Sequence, residues 1–410
     1  MGYSKQAFWG MSWSVLQRGY TRILSLLRII ILARFFLSPY EFGLFGIITL
    51  ILSFLEILTE TGVNVFLIQE KENFEKYINS AWIVSIVRGI IIACILCVFA
   101  YPSALFFKSS PVTLLLITTA IIPFIRGFIN PTEVIFQKEL YFKKEFIFRS
   151  IIFTIESLAI ILFAFLMHNA YALVFGMIVS AFSEVLISFL FIKPTPRFKF
   201  NFDEFKKIFH KGKWVTMYSI FQYFAENGDD IVVGRILGTS PLAIYQTAYS
   251  FSTLPVSEIT DVVSKVTFPV FTKIGGDRDR LLKAFLKTTI FISIFSILLG
   301  LFIILFPTQI ILATIGAKWL SVASLLPLLT IYGICRAIFG SFSTLFLSVG
   351  KQKFVAVMTF VRSITLVLTV VPLTLLFGLE GTVIAALISV LVEIPVILYN
   401  LQLLHITPEL

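Results

Sequence analysis

"LQRGYTRILSLLRIIILARFF", residues 16–36, reads as a helix apolar enough to enter a bilayer, yet it carries Arg18, Arg22, Arg28 and Arg34. The rest of the chain decides whether a bilayer is the right setting. Of its 410 residues 58% are hydrophobic and 14% charged, and the mean hydropathy of +0.96 exceeds what a water-soluble core requires. Charge-poor runs of about 20 residues, the length that crosses a hydrocarbon core of roughly 30 Å, recur from end to end. They are continuous rather than alternating, so the spanning element is the α-helix. The chain reads as an all-α integral membrane protein.

Twelve spans follow: about 9–36, 41–58, 79–106, 112–136, 147–167, 170–192, 213–237, 241–271, 284–306, 319–348, 354–377 and 381–404. Pro255 and Pro327 fall inside the eighth and tenth. The N-terminus has neither a basic n-region nor a small-residue cleavage site, so the first span is expected to stay in the mature protein. Twenty lysines and arginines lie in the connections after spans 2, 4, 6, 8 and 10, Lys138, Lys143, Lys144 and Arg149 among them; the odd-numbered connections hold only Arg34, Lys108, Arg235 and Lys318. The positive-inside rule therefore puts both termini in the cytoplasm of an inner (plasma) membrane protein. The net charge of +10 is accounted for by topology, and no nucleic-acid partner is implied.

Cys94, Cys97 and Cys335 lie within spans, where they are expected to fill core space. His168, His210 and His405 are too scattered in sequence to suggest a metal site or catalytic pair. Nothing resembles a Walker A pattern or a metal-ligand cluster, and the chain is not expected to be an enzyme.

The chain repeats itself once. A slide of 201 residues lays Trp13 on Trp214 and Arg34 on Arg235, so "LARFFLSPYEFGLF" falls opposite "VGRILGTSPLAIYQ". A slide of 210 puts "IRGFINPTEVIFQKELYFKK" over "CRAIFGSFSTLFLSVGKQKF", matching Arg126 to Arg336; a slide of 209 pairs Glu184 with Glu393. Such agreement points to duplication of a six-helix unit. An even number of spans per unit relates the halves by an axis along the membrane normal. The expected architecture is an N-terminal bundle over 1–192, a cytoplasmic linker over 193–212 and a C-terminal bundle over 213–410, facing one another across a central cavity.

At 100° per residue, Ser14, Gln17, Arg18, Thr21, Arg22, Ser25 and Arg28 share a sector of about 140°, fading outward where Ile29 and Leu32 enter it. An arginine at the bilayer centre costs roughly 2.5–3.5 kcal/mol, so this stripe must face water, counter-charge or ligand. In the duplicate, "YSIFQYFAENGDDIVVGR", the residues Ser219, Gln222, Tyr223, Glu226, Asp229 and Asp230 share a sector of about 120°, and Asp229 falls on Arg28. One half offers cations and the other anions. Glu56, Arg88, Arg126, Glu156, Glu184, Glu258, Asp261, Lys265, Arg336, Arg362 and Glu393 add charge within further spans, either as ion pairs between helices or as cavity lining.

Arginine's planar fork suits pyrophosphate, so Arg18, Arg22, Arg28, Arg88 and Arg126 are candidate substrate contacts. Gln17, Tyr20 and Tyr223, with Tyr218, Trp13 and Trp214 close by, could meet sugar rings. Glu226, Asp229 and Asp230 are candidates for a coupling Na+ or H+. Pro131, Pro255, Pro269, Pro327 and Pro372 could bend helices during a rocking motion.

The pattern from Trp13 to Arg34, then "LSPYEFGLFGIITLILSF", "TETGVNVFLIQEKE" and "DDIVVGRILGTSPLAIYQTAYSFSTLP", resembles the polysaccharide-biosynthesis transporters, the Wzx-type lipid-linked oligosaccharide flippases of the MOP superfamily. That resemblance implies a MATE-like pair of six-helix bundles, alternating access, and export of an undecaprenyl-pyrophosphate-linked glycan unit, as in O-antigen and lipopolysaccharide synthesis. It also implies membrane lipids, a glycan polymerase and chain-length machinery as partners. Some members carry two further helices after the twelfth. Three alternatives remain open: a MATE-type drug or cation antiporter, which would want an acidic N-terminal half; a flippase for the lipid-linked peptidoglycan precursor; and a membrane glycosyltransferase or polymerase, which would want a large outer loop.

Overall fold

The computed structural model describes residues 3–60, 63–69, 74–199 and 201–406. Within them, the side chains of 3–11, 65, 69, 203, 205–218, 254–255, 258–259, 261–262 and 404–406 are left out, so Trp214, Tyr218, Pro255, Glu258, Asp261, His210 and His405 fall outside the described residues.

The described residues form helices joined by short turns. The first half runs α1 (Tyr3–Ile31), α2 (Pro39–Leu58), α3 (Val63–Gln69), α4 (Phe74–Phe106), α5 (Pro111–Thr119), α6 (Ile121–Arg126), α7 (Ile135–Lys138), α8 (Phe142–Met167) and α9 (Tyr171–Phe191). The second runs α10 (Phe202–Ile236), α11 (Thr239–Ile274), α12 (Arg278–Leu305), α13 (Pro307–Thr314), α14 (Ser321–Ser348), α15 (Gln352–Leu391) and α16 (Glu393–Ile406). Among the described residues seven stretches are long and apolar enough to cross a membrane. The last of them, Gln352–Leu403, has 52 residues. At 1.5 Å per residue that is about 80 Å, far more than one crossing needs, and α15 breaks within it at Gly378 (φ 60°, ψ −137°). An eighth stretch is bent, Pro111–Arg126 meeting Pro131–Lys138 at 70°. The expected spans that fail the apolarity test are α1, α10 and α11. Two of these are the helices whose polar stripes the sequence displays.

Local chemistry explains several boundaries. Ser38 caps α2 by accepting the Glu41 amide (3.4 Å), with Pro39 at the first helical position. The Glu41 carboxylate accepts the Ala170 amide (2.6 Å) at the start of α9. The turn after Gly378 is tight: a Cβ on Gly381 would lie 1.9 Å from the Leu373 carbonyl oxygen, and Thr374 and Thr382 hydrogen-bond (2.8 Å) across it. Gly381→Ala is expected to cost about 1–3 kcal/mol, because the opposing atom is backbone and cannot swing aside. Thermal unfolding of the purified protein checks this, and an unchanged midpoint would refute it.

Two compact units, Met1–Glu226 and Asn227–Leu410, divide the chain. In the first, α1 packs on α8, α8 on α9, and α4 against α5 and α6. The backbones of α4 and α6 approach closely, since a Cβ on Gly89 would sit 2.4 Å from the Pro123 carbonyl oxygen. In the second, α14 is the hub, contacted by α11, α12 and α15, and α15 packs on α16. Helix α10 begins at Phe202, inside the stretch expected to be a linker. Hydropathy registers the turns that sit in lipid and misses polar turns continuous with them. The remaining connection is fastened to the first unit: Asn130 Nδ2 donates to the Ile192 (3.2 Å) and Pro194 (3.4 Å) carbonyls, and the Thr132 hydroxyl to Pro194 (2.8 Å).

One expectation is corrected here. Cys94 and Cys97 are exposed on α4 rather than packed in the core, and Cys335 is half-buried. An apolar residue inside a membrane span need not face protein, because lipid serves it equally well.

Candidate functional site

The α1 stripe is not uniform. Arg18 is exposed and Gln17 and Arg22 are half-buried. The Tyr20 hydroxyl meets Thr154 Oγ1 at 2.7 Å, and Phe146 of α8 packs against the rings of both Trp13 (5.4 Å) and Tyr20 (6.3 Å). Deeper along the helix, Arg28 is 17% exposed and pairs with Glu156 at 2.8 Å. The other oxygen of Glu156 accepts from Ser180 (3.1 Å), and the guanidinium lies 5.2 Å from the Phe153 ring centre. Arg28 is thus held by α8 and α9, where the stripe residues nearer the N-terminus remain closer to the surface.

Elsewhere in the first unit, α2, α3, α4, α6 and the turn at Pro131 line a polar, half-open cavity of about 410 Å³ whose charged lining is Glu56, Glu60, Arg88, Arg126 and Glu133. The Gly89–Pro123 approach places Arg88 and Arg126 on neighbouring helices facing this space. Arg88 donates to the Glu56 carbonyl (2.6 Å) and Thr59 Oγ1 (3.3 Å). Arg126 lies 3.4 Å from Glu56 and 4.0 Å from Glu184. Arg149 then bridges Glu184 (2.7 Å) and Glu133 (3.2 Å). Sequence reasoning missed Arg149 and Glu133: the first counts as a loop cation in any topology tally. The available signal was that Arg149 opens an apolar helix instead of ending in water.

Tyr223, a candidate for stacking on sugars, is corrected by its surroundings. It is 4% exposed, its ring sits 5.4 Å from Phe54 and 5.7 Å from Phe224, and its hydroxyl donates to the Leu50 carbonyl (2.7 Å). A ring enclosed on these sides has no face to offer. Glu226 is exposed and accepts from Gln222 Nε2 (3.1 Å), an i to i+4 pair along α10.

In the second unit Asp229 is buried and Asp230 half-buried. Asp229 Oδ2 accepts from the Tyr245 hydroxyl (2.6 Å) and Oδ1 from the Asp230 amide (3.0 Å). A second cavity, about 360 Å³, opens among α11, α14, α15 and α16. Arg336 enters it while donating to the hydroxyls of Tyr249 (2.7 Å) and Tyr332 (3.2 Å), and Arg362 pairs with Glu393 at 3.2 Å. Among the described residues no cluster of His, Cys, Asp and Glu is placed to hold a metal ion.

Comparisons with known proteins place this geometry. The chain is 26% identical over 382 residues to an uncharacterized membrane protein in the cps region of Klebsiella pneumoniae, covering 92% of this chain and 78% of that one. It is 24% identical over 351 residues to the lipopolysaccharide biosynthesis protein WzxC of Escherichia coli, covering 82% and 69%. It is also 25% identical over 313 residues to the succinoglycan biosynthesis transport protein ExoT of Rhizobium meliloti, covering 75% and 62%. Among solved structures, the inward closed form of the lipid II flippase MurJ superposes with a TM-score of 0.75 at 19% identity, over 94% of this chain and 87% of that one. An inward-facing MATE multidrug transporter of the MOP superfamily gives 0.69 at 16% identity, over 95% and 96%. These two likenesses carry the fold alone: the chain has the MATE-like all-helical membrane architecture. Residues 31–324 match the model of a family described as polysaccharide biosynthesis protein. That match takes in most of the chain, and the protein belongs to the polysaccharide biosynthesis protein family.

Proposed function

We propose that the protein is a flippase, moving an undecaprenyl-pyrophosphate-linked oligosaccharide repeat unit from the cytoplasmic to the outer leaflet of the inner membrane by alternating access. The observation that carries this reading is an α1 helix with Arg18 exposed and Arg22, one turn on, half-buried, in a member of a polysaccharide biosynthesis family. A helix at a membrane bears guanidinium groups at considerable cost, and an anion held there offsets it. Pyrophosphate accepts both N–H groups of a guanidinium fork and so satisfies charge and geometry together. The relatives named as transport and lipopolysaccharide biosynthesis proteins agree with such a cargo.

In this mechanism the glycan and pyrophosphate follow the polar path while the isoprenoid tail stays in lipid. No covalent bond is made or broken. Both termini face the cytoplasm, as the lysine and arginine distribution favours. Uptake of a coupling Na+ or H+ at Asp229 and Asp230 would offset the cost of holding two adjacent acids inside a bundle. A glycan polymerase and its chain-length partners would consume the product outside.

The test is reconstitution into liposomes with a fluorescent lipid-linked oligosaccharide, with a cationic dye and the lipid-linked peptidoglycan precursor in parallel arms. Transfer of the oligosaccharide lipid above protein-free vesicles is the expected result. Movement of the dye alone would make the protein an antiporter, and movement of the peptide-bearing precursor alone would reassign the cargo.

A further inference from the structure

The turn joining α4 to α5 gathers polar side chains that nothing else in the first unit engages. At the end of α4 the Ser109 amide donates to the Ala104 carbonyl (2.9 Å), a closure that puts Lys108 in the left-handed region at φ 53°. Glycine usually fills this position, because a side chain there is strained. A lysine kept at such a point raises the question of what its charge serves. Lys108 is exposed and makes no ion pair among the described residues. The acidic residues of the first unit with undescribed side chains are Glu70, Glu72 and Asp203. The first two adjoin the start of α4 in sequence, and Asp203 adjoins Glu204, which bonds Ser80 near that start. The 33 residues of α4, about 50 Å of helix, lead from there to Lys108.

Three hydroxyls stand beside the lysine. Ser109 is 7% exposed and its Oγ has no hydrogen-bond partner among the described residues. Ser110 makes no capping bond at the start of α5. Thr113 lacks the bond to the preceding turn that Thr118 (2.9 Å to the Leu114 carbonyl) and Thr119 (2.8 Å to the Leu115 carbonyl) make along the same helix. All of them line a half-open cavity of about 660 Å³ formed by α4, the turn and α5. Its walls are graded. On α4 the stripe through Tyr101 and Leu105 leads to Lys108, and on α5 Ser110 and Thr113 are followed on the same face by Leu114 and Ile117. Tyr101, Leu105, Leu114 and Ile117 are exposed. Both walls are therefore polar at the turn and apolar away from it, and the turn joins two stretches apolar enough to cross a membrane.

We propose that this cavity binds an anionic glycerophospholipid of the surrounding bilayer. The phosphodiester sits on the Lys108 ammonium, with Ser110, Thr113 and the more enclosed Ser109 as hydroxyl donors. The glycerol and upper acyl chains run along Leu105, Leu114 and Ile117. One ammonium answers the single charge of a phosphodiester, whereas a zwitterionic headgroup brings its own cation and gains less. The volume falls within the range of ligand cavities and exceeds what a bare phosphate fills. The dipole of α4 also favours a cation at this end, but it leaves the three hydroxyls unused. Such a site is independent of the flippase reading, since it holds a lipid of the bilayer and not the cargo.

Native mass spectrometry of the full-length protein, released from micelles with equal amounts of phosphatidylglycerol and phosphatidylcholine of matched chains, counts the lipids retained. One equivalent of phosphatidylglycerol is expected to be retained at least ~10-fold over phosphatidylcholine. Lys108→Gly, which the left-handed backbone suits, should lose that equivalent while its thermal midpoint in lipid-free detergent stays the same or rises. Lys108→Arg should keep it, and Thr113→Val should weaken its retention at least ~3-fold. Should Lys108→Gly fold poorly, Lys108→Gln removes the same charge. Equal retention of the two lipids, or wild-type retention by the uncharged Lys108 variants or by Thr113→Val, would overturn the proposal. So would release of the lipid by inorganic phosphate at matching concentration, which would make this a phosphate site, and retention of undecaprenyl pyrophosphate in preference to phosphatidylglycerol, which would make it a cargo site.

Discussion

Arg149→Met is expected to destabilise the protein by about 3 kcal/mol, the lower end of what removing one partner of a buried ion pair costs. The lower end applies because the Arg149 side chain is itself 36% exposed. Its two partners are not: Glu184 is 9% and Glu133 15% exposed, and Glu133 Oε2 has no hydrogen-bond partner even with Arg149 in place. Methionine keeps much of the packing volume and leaves both carboxylates uncompensated. The unfolding midpoint in detergent should fall by roughly 3–4 °C. Glu184→Gln in the same chain should recover part of the loss, because one of the stranded charges is then gone. A double-mutant cycle reads this coupling directly. Additive losses in the cycle, or a midpoint unmoved by Arg149→Met, would mean that the bridge contributes nothing to the fold.

Reversing the N-terminal part of the α1 stripe should act on transport instead. With Arg18→Glu and Arg22→Glu combined, initial flipping rates in proteoliposomes are expected to drop on the order of 100-fold, since the two contacts to pyrophosphate that we propose would become repulsions. Arg28, whose carboxylate partner Glu156 lies at 2.8 Å, is tested beside them. Removing the whole pair as Arg28→Leu with Glu156→Leu should leave transport within a few-fold, as apolar replacement of a buried pair is often neutral. If the Arg28 pair proves indispensable while the Arg18 and Arg22 reversals are tolerated, the pyrophosphate contact must be placed deeper along α1 than proposed here.

The internal repeat was legible as a pairing of residues, which says nothing of what surrounds each member of a pair. Arg126 and Arg336 each line a cavity within their own unit. The described linings differ: the slides pair Glu56 and Glu133 of the first with Ser257 and Ser343 of the second. The polar stripes on α1 and α10 were visible from periodicity, which finds a polar face and cannot say what that face touches. Tyr223 shares its helix face with Glu226, yet packs under Phe54 and Phe224 while Glu226 is exposed.

Composition and hydropathy by themselves determined that this chain lives in a bilayer and that it is helical. Both follow from solvent: lipid cannot satisfy an open backbone, so long apolar runs admit one structure. Which charges are available was decided by tertiary structure alone. An arginine's fate depends on whether a carboxylate from a distant helix arrives within about 3 Å, as Glu156 does at Arg28 and as Glu133 and Glu184 do at Arg149. Such encounters are set by packing between helices far apart in the chain.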